Sequence, residues 1–124
     1  MIKGICIDNI AIDCKDAVKL RDFYAELLGL KSFEKYGLPG LRSQSGLVLF
    51  FKEDADFEYV KPVWPEEIGK QQKQMHFGFQ VDDLLTAVLQ AEALGACKAE
   101  SQFGGDYLVT MFDPEGHPFC LSAK

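Results

Sequence analysis

The sequence predicts an α+β chain built from two strand-helix-three-strand modules, and three observations carry that prediction. The first is a change of period inside one stretch. Met75, Phe77, Phe79 and Val81 are apolar while His76, Gly78, Gln80 and Asp82 are polar or small, the alternation of a strand with one buried face. From Leu84 the apolar positions become Leu84, Ala87, Val88, Ala91 and Leu94, one stripe of a helix, with Asp82 or Asp83 as N-cap and Gly95 placed to end it. The second observation is that this unit occurs twice. Aligning Asn9 with His76 puts Ile10, Ile12 and Cys14 on Phe77, Phe79 and Val81, Ala11 on Gly78 and Asp16 on Asp83, and both helical stripes finish in Leu-Gly, at Leu28-Gly29 and Leu94-Gly95. The third is that each half closes with strand segments joined across turn residues.

In chain order, residues 5–14 read as the first strand, apolar enough to be central and covered on both sides. Leu20, Phe23, Tyr24, Leu27 and Leu28 mark a helix over 17–28. Lys31 to Tyr36 reads as a short strand before a turn at Gly37-Leu38-Pro39-Gly40, and Leu41 to Ser45 pairs with Leu47 to Lys52 across Ser45-Gly46. Residues 54–74 show no clean period and join the halves. Trp64 within them has two readings, an anchor for the crossover or a cover for a pocket mouth or subunit contact. The second half repeats the order: a strand over 75–82, a helix over 84–94, a short strand near Cys97 to Glu100, and a hairpin of Tyr107 to Phe112 with His117 to Ser122. Gly104-Gly105 reads as a flexible tip before that hairpin, and Asp113-Pro114-Glu115-Gly116 suits a type I turn.

At 124 residues the chain is sized for about one domain. Its 48% hydrophobic and 26% charged residues are ordinary for a globular protein. A net charge of −6 lacks the basic footprint that nucleic acid requires, and as a whole it favours a cationic or neutral small molecule. No long apolar run or leader pattern is present, so no membrane association is expected and the location expected is cytoplasmic. Cys6, Cys14, Cys97 and Cys120 lack zinc-finger spacing and are expected as free thiols.

Three sets of residues give the chain a family resemblance. They are Asp16 with Phe23-Tyr24 and Leu27-Leu28-Gly29-Leu30; His76-Phe77 with Val81-Asp82-Asp83-Leu84 and Leu94-Gly95-Ala96; and the run Asp113-Pro114-Glu115-Gly116-His117-Pro118-Phe119-Cys120-Leu121. With these the chain resembles the vicinal oxygen chelate superfamily, the group of glyoxalases, bleomycin resistance proteins and dioxygenases. The closing run, with Val63-Trp64-Pro65 and Gln74-Met75-His76, is most similar to its glyoxalase-like domain branch. The resemblance implies one domain over 1–124, with module one at about 1–53, a crossover at about 54–74 and module two at about 75–124. It implies two βαβββ modules forming a curved mixed sheet around a pocket, in a homodimer whose modules pair within one chain or swap between two.

The resemblance also places four metal-feeding positions, on the first and last strand of each module. They fall on Asn9, His76, Cys120 and either Phe50 or Phe51, because strand 47–52 has no alternation to fix its register. Gyoxalase-type isomerases use carboxylates and non-haem iron oxygenases use two histidines and a carboxylate, so one imidazole, one thiol, one amide and a phenyl ring are a poor set. The leading expectation is a small-molecule ligand in a metal-poor pocket lined by Asn9, Phe50, Phe51, His76, Gln80 and Cys120, with His76 the weak candidate for a metal. One alternative is a metal-dependent lyase, isomerase or dioxygenase using zinc, nickel, iron or manganese, with Glu53, Glu58 or Asp106 reaching the pocket. Another is an antibiotic-sequestering protein resembling the bleomycin resistance proteins. Cys120 is either a small buried thiol or a nucleophile activated by His76. His117 reads as structural, and Asp16 and Asp83 as helix caps.

Overall fold

Asp16 marks where the chain leaves its first strand, β1 (Asn9–Asp13), and enters its first helix, α1 (Ala17–Leu28). Its carboxylate accepts the Lys19 amide at 3.1 Å, satisfying one of the unpaired N–H groups of the first turn. Glu53 does the same for Ala17 N at 3.0 Å. At the other end Gly29 adopts φ 66°, and Leu30 N donates to Ala25 O, so the helix stops in a left-handed cap. The computed structural model describes all residues 1–124 and divides them into two compact units, Met1–Tyr59 and Val60–Lys124.

The first unit continues with β2 (Lys31–Lys35), β3 (Leu38–Arg42) and β4 (Val48–Lys52), and its sheet order is β1-β4-β3-β2. β1 runs parallel to β4 and the other neighbours are antiparallel, a mixed sheet. α1 covers one face. Tyr24 and Phe51 are buried and stack with ring centroids 5.9 Å apart, alongside buried Leu20, Phe23, Leu41 and Leu49. Each such side chain stabilises the unit by about 1.5–3 kcal/mol.

Two expectations for this unit are corrected. The first strand is shorter than 5–14 and is not central: β4 begins at Val48, opposite Asn9, so residues before Asp8 have no ladder to join, and Ile2, Ile5 and Ile7 are exposed. The turn expected at 37–40 is instead Tyr36-Gly37. Both residues have positive φ, 57° and 74°, the geometry of a two-residue hairpin whose twist matches its strands. Leu38, Pro39 and Gly40 therefore lie inside β3, and the β3–β4 ladder starts only at Gly40, where no donor is asked of Pro39.

The second unit has β5 (Phe77–Val81), α2 (Leu84–Ala93), β6 (Cys97–Lys98), β7 (Leu108–Phe112) and β8 (Pro118–Ala123), with order β5-β8-β7-β6. Asp83 caps α2 through Thr86 N at 3.0 Å. Val88 and Ala91 of α2 are buried, as are Met111, Phe119 and Leu121 on the strands. The order of elements and the pairing pattern repeat those of the first unit, so the duplication read in the sequence is a duplication of fold. Residues 60–74 belong to this unit: Trp64 Nε1 donates to Ser101 O at 3.2 Å, and its ring meets Phe103 edge-on at 5.7 Å. The indole thus anchors the crossover. Gly104 is no free tip, because a Cβ there would stand 2.6 Å from Leu108 Cβ and 2.7 Å from Leu108 O. No helix is long and apolar enough to cross a membrane.

Candidate functional site

In each unit the helix buries one side of the sheet, and the candidate residues are sorted by which side they take. Neighbours in register point the same way, so the strand pairing assigns the sides. In the first unit Ile12 pairs with Phe51 and faces α1, whereas Ala11 pairs with Phe50, Phe50 with Gly40, and Gly40 with Phe33 on the opposite side. Asn9 shares that opposite side by parity and is exposed. Phe51 is therefore removed from the candidate site: it is 0% exposed and stacked on Tyr24 under the helix. Phe50 stays, with its ring centroid 6.0 Å from that of Phe33. The Arg42 guanidinium lies 4.9 Å above the Phe33 ring on the other flank.

In the second unit Gly78 pairs with Cys120 and Cys120 with Thr110, on the side opposite Phe119 and Leu121. Gln80 pairs with Ser122 on the same side. His76 precedes β5 at the matching parity and is exposed. The Cys120 sulfur sits 3.6 Å from Thr110 Oγ1, and Ser122 Oγ donates to Phe79 O at 3.3 Å. Cys120 is thus engaged with the Thr110 hydroxyl, and either group can donate. Within this unit the structure brings together Gly78, Gln80, Thr110, Cys120 and Ser122, with His76 at the entrance of the strand.

The remaining candidates are structural. Asp113 is buried, and its Oδ1 accepts Glu115 N at 2.9 Å and His117 N at 3.0 Å, while Oδ2 lies 2.8 Å from His117 Nδ1. The Asp-Pro-Glu-Gly-His run is accordingly a self-stapled turn. Glu53 is spent on the first turn of α1. Glu66 hydrogen-bonds the Lys73 ammonium, which holds its carboxyl below the ordinary value; its own backbone amide and the charge of His76 act in the same direction.

Three residues were not read from the sequence. Phe33 is a lone aromatic between charged neighbours in Lys31-Ser32-Phe33-Glu34-Lys35, a signal that was available. Arg42 becomes meaningful only through its place above that ring. Gln102 carries no sequence signal: its amide donates to Ala99 O at 2.7 Å and Thr110 O at 2.8 Å and accepts Thr110 N at 2.8 Å, standing in for a strand peptide beside β7.

A divalent metal does not fit these residues. In neither unit do three or more His, Cys, Asp or Glu side chains converge as a metal site requires. The position matching Cys120 in the first unit is the phenyl ring of Phe50, which offers no donor.

Comparisons with known proteins agree with this architecture. No curated protein matches the sequence. A glyoxalase/bleomycin resistance protein/dioxygenase family enzyme from Burkholderia phytofirmans PsJN superposes with a TM-score of 0.67 at 18% identity, over 94% of this chain and 97% of that one. A glyoxalase/dioxygenase from Nostoc punctiforme gives 0.68 at 17% identity, over 100% and 95%. TnmS3, an antibiotic-binding protein from Streptomyces sp. CB03234, gives 0.64 at 12% identity, over 99% and 98%. At these identities the likeness is one of fold. The family model for the glyoxalase-like domain matches residues 9–122, nearly the whole sequence, and the chain therefore belongs to the glyoxalase-like domain family, within the vicinal oxygen chelate superfamily.

Proposed function

We propose that this chain binds a small organic molecule, using the helix-free sheet face of each unit, with no resident metal. Asn9 and Phe50 serve on the first unit, and His76, Gln80 and Cys120 on the second. One observation carries the reading. These five residues, scattered over 9–120, all take the parity that the helices leave uncovered, while the opposite parity is filled by core residues such as Phe51, Phe119 and Leu121. An apolar wall with a few polar groups is the usual make-up of a ligand site.

A screen of small organic molecules by thermal shift tests this. Compounds that raise Tm are expected to lose most of their effect on Phe50→Leu and on His76→Ala. Stabilisation that survives both substitutions overturns the reading. Zinc, nickel, iron and manganese salts are expected to leave Tm unchanged, and a stoichiometric metal in the purified protein overturns the metal-free part.

The antibiotic-binding relative supports a second reading, in which the ligand is an antibiotic and the role is sequestration. Titration with a panel of antibiotics separates the two. The four free thiols suit a reducing, cytoplasmic setting. Exposed Leu85 and Leu89, one turn apart on α2, suit association into a homodimer, which sedimentation would detect.

A further inference from the structure

We infer that the first unit selects a planar aromatic ligand carrying a negative charge, such as an aromatic carboxylate. The inference rests on the proposed role of the helix-free face and specifies its chemistry. On that face the register arranges side chains in three rows. Lys31, Arg42, Val48 and Asn9 form one row, and Phe33, Gly40, Phe50 and Ala11 the next. The third holds Lys35 with Leu38 and Lys52 with Asp13, two residues further along each strand, where β3 and β4 are no longer paired. An apolar band is thus flanked by Lys31 and Arg42 on one side and by Lys35 and Lys52 on the other, with two acids at its margin, Asp13 and Asp8, whose Oδ2 accepts the Asn9 side-chain amide at 2.8 Å.

The chain as a whole has 13 Lys+Arg against 19 Asp+Glu. Its net charge favours cationic or neutral ligands, but the distribution reverses that locally. Lys31, Lys35, Arg42 and Lys52 form no ion pair with any carboxylate of their unit. The side chains of all four are exposed, with the Lys35 ammonium 5.0 Å from the centre of the Tyr36 ring.

The middle row offers a ring the half-buried Phe33 and the exposed Ala11, with Phe50 itself only 5% exposed. A Cβ on Gly40 would lie 2.8 Å from Phe33 Cε1 and 3.2 Å from Phe50 Cδ1, so glycine lets both rings close over the strand. Ala11 beside Phe50 is small and exposed, leaving a shallow step for a flat molecule. The Arg42 guanidinium lies 4.9 Å from the centre of the Phe33 ring and pairs with no carboxylate, so its N–H groups suit the bidentate grip that a carboxylate takes.

The test compares 2-naphthoate with 2-naphthamide on the full chain, two probes of one shape that differ in charge. Amide chemical shifts are expected to move at Phe33, Gly40, Arg42 and Phe50. Naphthoate should bind about fivefold tighter at low ionic strength, an advantage that shrinks in about 0.5 M salt. Arg42→Gln and, separately, Lys52→Gln should each reduce the advantage, and Asp13→Asn should enlarge it. Equal binding of the two probes, weakened alike by Phe50→Leu, overturns the anion preference and leaves the proposed binding face standing. No shift at these residues with either probe at about 5 mM, within reach for fragments of this size, overturns both.

Discussion

The middle rows of the two sheet faces are the same four positions filled with opposite chemistry. In the first unit they hold Phe33, Gly40, Phe50 and Ala11, and in the second Ala99, Thr110, Cys120 and Gly78. Thr110 stands where Gly40 stands, and Cys120 where Phe50 does. The backbone pairing is retained because the helix side dictates it: Leu49 with Ile10 and Phe119 with Phe77 fix the same register in both units. The helix-free side, where Phe50 and Thr110 are nonetheless buried, keeps the pairing but not the residue types. One copy has become aromatic with a cationic rim, and the other a line of hydroxyl, thiol and amide groups. Duplication thus supplies two scaffolds whose helix-free sides carry different side chains.

The largest effect is expected where the units agree. Phe51→Ala removes a fully buried ring from under Tyr24 and should cost about 3–5 kcal/mol in urea unfolding, with Phe119→Ala similar in the second unit. A cost near that of a surface change would mean that the helix sides are not the common core.

The next effect separates the units. In the second, Gln102 ties down the strand behind Cys120, so Gln102→Ala leaves the buried Thr110 without its amide partner. A loss of about 1–3 kcal/mol is expected, with faster hydrogen exchange at the Thr110 amide. In the first unit Phe33 covers the corresponding strand. Gly40→Ala presses against its ring, which is half-buried and has room to yield, so about 1 kcal/mol is expected, at the low end for overpacking. Ring resonances of Phe33 should shift in this variant and stay in place in Gln102→Ala.

Much of this was legible in the residues. The alternation in Phe77–Val81 and the stripes of both helices are visible because one side of each element is buried and the other is wet. Asp16 and Asp83 announced the helix starts because a short acidic side chain before an apolar stripe has that one local use. Phe50 and Phe51 could not be told apart, since Val48, Leu49, Phe50 and Phe51 are all buried and present no period; only the pairing of Phe50 with Ala11 decides. Tyr36 in a left-handed turn was hidden behind the stronger punctuation of Pro39 and Gly40. Gln102 and Arg42 act through long-range contacts, which local pattern does not encode.

The smallest expected effect lies in the crossover of the second unit, which also carries the chain's single tryptophan. Lys73 hydrogen-bonds Glu66 and sits 4.7 Å above the Trp64 ring. That hydrogen bond, aided by the Glu66 backbone amide and the charge of His76, lowers the Glu66 pKa from 4.5. A carboxylate with a depressed folded-state pKa stabilises the fold above its unfolded value, and the contribution is lost as pH falls through the folded value. As pH falls through that lowered value the Glu66 carboxylate therefore releases Lys73, and Trp64 emission should change as the ammonium leaves its ring. Glu66→Gln cannot ionise and should show no such transition. An identical acid transition in that variant would mean that a group other than Glu66 holds Lys73 over the Trp64 ring.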